Sequence, residues 1–123
     1  MADILIVDDD VQIRMLLKLL LETEGFSVRE AENGRLAVDR YSEKPADVVI
    51  LDILMPDMEG IETIRKLKGL DPQVQVIALS GGGKFSGEYY LQMIKSFAPR
   101  YSFTKPVEPE TLIKAVKDIL ETG

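Results

Sequence analysis

The residues best placed to do chemistry are Asp8, Asp9 and Asp52, because each follows a run of aliphatic residues rather than sitting in a polar stretch. Ile4 to Val7 ends in Asp8-Asp9-Asp10, and Val48 to Leu51 ends in Asp52. An aspartate after a strand commonly opens a turn, and Asp10 is well placed to cap the helix that follows. Capping needs only one residue, however, and adjacent carboxylates at a partly buried strand end repel each other unless a cation stands between them. Two further runs end in polar groups: Val74 to Leu79 leads to Ser80, and Tyr101 to Thr104 leads to Lys105. Three carboxylates, a hydroxyl and a lysine suit a hard, oxygen-liganded cation such as Mg²⁺ and the phosphate oxygens it would share, which is phosphoryl-transfer chemistry.

Those five residues act together only if the chain brings four strand ends to one edge. Continuous aliphatic runs without polar alternation predict strands covered on both faces, as in a parallel sheet. Phe26 to Ala31 alternates instead and belongs near a sheet edge. Helical spacing links Ile13, Leu16, Leu17 and Leu20 with a stop at Gly25, then Leu36, Ala37 and Tyr41 after Asn33-Gly34, then Ile61, Ile64 and Leu67. Ser86 can cap a fourth helix bearing Tyr89, Tyr90, Met93, Ile94 and Phe97, and Pro109 opens a fifth that buries Leu112, Ile113, Val116, Ile119 and Leu120. Five strands alternating with five helices predict an α/β fold, a doubly wound parallel sheet with right-handed crossovers, whose helix-preceding strand ends all face one side. Gly81-Gly82-Gly83-Lys84 imitates a phosphate-binding loop but has Ala78 and Phe85 where glycine and a hydroxyl residue are required, so it reads as a flexible loop.

Composition narrows the function. Fifteen basic against 21 acidic residues, a net charge of −6, excludes the phosphate-neutralising surface of a sequence-independent nucleic-acid binder. No apolar run reaches the ~20 residues of a membrane span, and the N-terminus lacks a secretory pattern, so the expected location is the cytoplasm, with no membrane contact. There is no cysteine, hence no disulfide framework or thiolate site, and no histidine, hence no imidazole base, ligand or phosphohistidine. A length of 123 residues fits one domain, 1–123, and no linker, repeat or appended output domain is evident.

The sequence Ile-Leu-Ile-Val-Asp8-Asp9-Asp10, then Asp52-Ile-Leu-Met55-Pro56-Asp-Met-Glu-Gly60, then Ser80-Gly81, then Lys105-Pro106 resembles the response-regulator receiver domains of bacterial two-component signalling, over the whole chain. The resemblance implies the flavodoxin-like strand order 2-1-3-4-5. It further implies an aspartyl phosphate on Asp52, and Mg²⁺ held by Asp9, Asp52 and the Leu54 carbonyl with Asp8 acting mainly through water. Ser80, the Gly81 amide and Lys105 would bind the phosphoryl oxygens, and a cis peptide would precede Pro106. The implied partners are a histidine kinase or histidine phosphotransfer protein, an unidentified downstream protein, and in some members a second copy in a phosphorylation-dependent homodimer.

Such a domain catalyses its own phosphorylation and slow dephosphorylation rather than turning over a small substrate. Leu54 and Gly82, at the positions that govern the phosphoryl lifetime in this family, cannot orient an attacking water with their side chains. Output is expected from the face of the fourth helix, fifth strand and fifth helix, although Ser102 stands where many members have a switch aromatic, with Tyr101 and Phe103 on either side. Two alternatives use the same residues: a degenerate receiver that binds proteins without being phosphorylated, and a Mg²⁺-dependent phosphatase using Asp8 and Asp10 as an Asp-x-Asp pair.

Overall fold

Strands that are aliphatic on both faces need cover on both faces, and the computed structural model, which describes residues 1–53, 59–81, 95 and 99–122, shows that cover. β1 (Asp3–Val7) and β3 (Val48–Asp52) are buried at every position. They join β2 (Ser27–Ala31), β4 (Val76–Gly81) and β5 (Tyr101–Lys105) in one parallel sheet of order β2-β1-β3-β4-β5, the expected flavodoxin-like arrangement with β2 at an edge. The described helices are α1 (Val11–Thr23), α2 (Gly34–Glu43), α3 (Glu59–Leu70) and the C-terminal α4 (Pro109–Thr122). The helix expected after Ser86 falls outside the described residues.

Alternation along each strand divides the apolar side chains between two cores. Leu5, Val49 and Leu51 meet Ala37, Tyr41, Ile64 and Leu67 on the α2 and α3 side. Ile4, Ile6, Ile50 and Ile77 meet Leu21, Leu112, Val116 and Ile119 on the α1 and α4 side. Each of these large side chains, removed from water, contributes on the order of 1.5–3 kcal/mol, which holds the sheet edge rigid enough to carry a site.

Helix ends follow the sequence signals. Asp10 caps α1 by accepting from the Gln12 and Ile13 amides at 2.9 and 3.4 Å, and Gly25 ends the helix with a φ of 93°. Asn33 caps α2 through the Leu36 amide at 2.9 Å. The start of α3 runs so close to β3 that a Cβ on Gly60 would lie 2.4 Å from the Ile53 carbonyl oxygen, so only glycine lets the helix approach the peptide that follows Asp52.

Two local expectations need correction. Leu21, not Leu16, is the α1 residue wholly buried, while Leu16 is 68% exposed. Leu16 lies along a groove of about 570 Å³ between α1 and α4, which Leu17, Leu20, Val107 and Leu112 also line, so helical spacing alone overstates its burial. The fourth strand begins at Val76 rather than Val74, because Val74 closes a turn by donating to the Asp71 carbonyl at 3.0 Å. At their other ends the strands run further than expected: Ser80 pairs with Thr104 and Gly81 with Lys105, so Ser80 and Gly81 lie within β4, and Lys105 within β5, instead of just beyond them.

Candidate functional site

Parallel register delivers the predicted residues to one edge. Val7 pairs with Leu51, so Asp8 and Asp52 each stand one residue past a matched pair on adjacent strands. Asp52 in turn pairs with Leu79, and beyond it Ser80 pairs with Thr104 and Gly81 with Lys105. The amide of Ile53 donates to the Leu79 carbonyl at 2.8 Å, which fixes the peptide next to Asp52.

Side chains close the cluster. Lys105 Nζ lies 2.8 Å from Asp8 Oδ2 and 3.2 Å from Asp52 Oδ2. Asp8 and Asp52 are only 1% and 4% exposed, whereas Asp9 faces solvent. Carboxylate oxygens of Asp8, Asp9 and Asp52 all lie within 4.8 Å of one another. Burial opposes the charge on Lys105, but the hydrogen bond to Asp8 and the charges of Asp52 and Asp8 outweigh it and hold the ammonium above the ordinary lysine range. The lysine is therefore a fixed positive charge at neutral pH. Three carboxylates against that one ammonium leave two formal negative charges, and every donor is a hard oxygen, so the residues fit a divalent cation such as Mg²⁺.

Asp8 is held from several directions. Its amide donates to the Ala31 carbonyl at 3.2 Å, its Oδ1 accepts the Asp10 amide at 2.9 Å, and its own carbonyl accepts Arg14 Nη1 at 2.6 Å. Arg14 also pairs with Glu30 on β2, Nε to Oε1 at 3.3 Å. Sequence reasoning missed this clamp. Its local signal was a long cation four residues after the cap, since helix side chains lean back toward the N-terminus. Glu30 becomes its partner only through the β1–β2 register, which pairs Glu30 with Ile6.

The remaining predicted members are distributed as follows. Ser80 is half-buried and its hydroxyl donates to the Phe103 carbonyl at 3.5 Å, at the long limit of hydrogen bonding. Gly81 lies beside Lys105 in register, and the Lys105-Pro106 peptide is cis, as the resemblance implies. Leu54, the loop through Met58 and the glycines after Gly81 lie outside the described residues. Among the described residues no helix is long and apolar enough to cross a membrane.

A doubly wound sheet with a buried acid pair and a lysine at its carboxyl edge is an α/β domain with a charged site where such sheets bind their ligands. Residues 4–117 match the model of the response regulator receiver domain, and the chain belongs to that family. It is 36% identical over 117 residues to the chemotaxis protein CheY of Thermotoga maritima, covering 94% of this chain and 95% of that protein. Against the sporulation initiation phosphotransferase F of Bacillus subtilis the identity is 34% over 117 residues, covering 95% and 92%. A crystal structure of a CheY-like receiver domain protein from Methanospirillum hungatei superposes with a TM-score of 0.90 at 29% identity, covering 98% of this chain and 94% of that one. Receiver domains are phosphorylation-switched signalling elements that take phosphoryl groups from histidine kinases or phosphotransfer proteins.

Proposed function

We infer that Asp52 is the phosphoryl acceptor of this receiver, in a Mg²⁺-dependent transfer from a phosphohistidine on a histidine kinase or phosphotransfer protein. The observation that carries this is the ammonium of Lys105 within 3.2 Å of the buried Asp52 carboxylate at a strand end. An Asp52 oxygen attacks phosphorus in line with the departing imidazole, so an O–P bond forms as the P–N bond breaks. Asp9 and Asp52, with the Leu54 carbonyl implied by the family, would hold Mg²⁺, and Asp8 would support it through water. Bound there, the cation would offset charge on the phosphoryl oxygens. Lys105 supplies a second positive charge, and Ser80 with the Gly81 amide supplies hydrogen bonds, so the chain contributes positioning and electrostatics rather than covalent steps beyond the attack.

Asp10 bears on the phosphatase alternative. A pair of Asp8 and Asp10 would need the Asp10 carboxylate free to act with Asp8, yet Asp10 is committed to capping α1. Output is assigned to the face of β5, α4 and the helix expected after Ser86, reaching an unidentified protein or a second copy. Intact-mass spectrometry after incubation with acetyl phosphate tests the reading. A single phosphoryl adduct is expected with Mg²⁺, and none with chelator or in Asp52→Asn. Absence of an adduct under all conditions would identify a binding module instead, and turnover abolished by Asp8→Asn without an adduct would identify a phosphatase.

A further inference from the structure

We propose that Arg14 is a positioning residue for the cation site, which sets the orientation of the Asp8–Asp9 peptide and thereby aims the Asp9 carboxylate. This rests on the reading of Asp9 and Asp52 as cation ligands. Among the described residues Asp9 has no hydrogen-bonding partner for its exposed carboxylate, so its side chain is directed only by its backbone. The Asp8 carbonyl and the Asp9 amide belong to one planar peptide unit, and the 2.6 Å bond from Arg14 Nη1 fixes how that plane is turned.

The clamp is itself anchored. The Arg14 side chain is 12% exposed, and its Nε is held by Glu30, which Lys18 also approaches at 3.6 Å. A planar guanidinium can hold a carbonyl and a carboxylate at once in a fixed fork, whereas an ammonium on a flexible stem cannot hold both with the same geometry. β2 thus reaches the acid cluster through Arg14, a path separate from the Lys105 bridge between β5 and β1. The charge of Arg14 argues against a purely electrostatic role, because a cation beside an acidic site weakens the binding of another cation.

That opposition gives a test of sign. Mg²⁺ affinity is measured by isothermal titration calorimetry on the wild-type protein, Arg14→Gln and Arg14→Lys, with circular dichroism and a melting curve taken in the absence of Mg²⁺. Positioning predicts that Arg14→Gln raises the Kd for Mg²⁺ about tenfold, as losing a group that orients a metal ligand commonly does, while the protein remains folded. Arg14→Lys keeps the charge and loses the fork, and is expected to fall between the two. If Arg14→Gln does not fold, the Arg14→Lys Kd decides alone, and a value equal to wild type overturns the proposal. Binding by Arg14→Gln that is unchanged or tighter also overturns it, leaving the reading of Asp52 intact. A wild-type protein that binds no Mg²⁺ overturns that reading, and this inference with it.

Discussion

Lys105 and Asp8, 97 residues apart in sequence, meet at 2.8 Å, and the same ammonium reaches Asp52 at 3.2 Å. The lysine holds together two buried carboxylates that would otherwise repel. Removing one partner of a buried ion pair leaves uncompensated charge. Lys105→Met is therefore expected to lose about 2 kcal/mol of stability in the presence of a chelator, less than a fully buried pair would lose because Lys105 is 21% exposed. Mg²⁺ should restore much of that loss, and should stabilise the variant more than the wild type, by binding only the folded state. Urea unfolding with and without Mg²⁺ measures both effects, and a variant as stable as wild type without cation would contradict the account.

Two glycines of α3 should respond with opposite signs. Gly60→Ala places a Cβ against Ile53 backbone that has nowhere to move without shifting Asp52, and should cost about 1–3 kcal/mol and slow phosphorylation. A Cβ on Gly69 meets nothing within 4 Å, so Gly69→Ala should stabilise the helix by about 0.5–1 kcal/mol. Thermal melts of the two variants decide this, and a destabilised Gly69→Ala or an unaffected Gly60→Ala would refute the packing.

The pH response should contain two steps remote from the site, both from one hydrogen bond. Buried Tyr41 donates its hydroxyl to Asp71 Oδ2 at 2.7 Å, tying α2 to the turn before β4. Burial, then the bond to Asp71, pushes the Tyr41 phenol well above the usual tyrosine range. The same bond, then the Gln73 amide, holds the Asp71 carboxyl below its usual range. The stability contributed through Tyr41 is fully present below the unfolded phenol pKa of about 10 and is lost as pH rises beyond it. That contributed through Asp71 is present above the unfolded carboxyl pKa of about 3.9 and fades as pH falls. Tyr41→Phe should thus cost about 1 kcal/mol between those limits and less outside them. A deficit that stays constant through strongly alkaline pH would contradict this.

The switch should leave β5 largely unchanged. Tyr101 and Phe103 pack against the core on the α4 side with ring centroids 5.7 Å apart, and the Tyr101 hydroxyl donates to Asp118. Ser102 and Thr104 are exposed and carry no ring to move. Signal is therefore expected to leave through the segment after Ser80, where the sequence has glycines, which can adopt backbone angles closed to other residues. Hydrogen exchange with and without beryllofluoride should change most over residues 81–90. Changes confined to residues 101–104 would overturn this route.

The fold was legible where one physical signal ruled. Continuous aliphatic runs marked β1 and β3, and Asp10, Asn33 and Gly25 marked helix ends, because burial on both faces and end capping are local properties of the chain. The six predicted site residues outside the Leu54 loop share the carboxyl edge of the sheet for the same reason: strand ends in a parallel sheet have no other side to occupy. Leu16 was misjudged because helical spacing identifies an apolar face without showing what covers it. Val74 is buried, yet the Asp71 turn takes its amide, and composition cannot distinguish a buried turn residue from a strand residue. The Arg14–Glu30 pair depends on the register of two strands and the lean of a helix side chain, which only the assembled sheet brings together.

Asp52, among the four clustered groups Asp8, Asp9, Asp52 and Lys105, is expected to take the phosphoryl group. Borohydride reduces an acyl phosphate to an alcohol, so treating the phosphorylated protein with it turns the modified aspartate into homoserine, which peptide mapping by mass spectrometry can place. The account predicts homoserine at position 52 only when Mg²⁺ and a phosphoryl donor are both present. Homoserine at position 8 or 9, or label at 52 that does not require Mg²⁺, would contradict it.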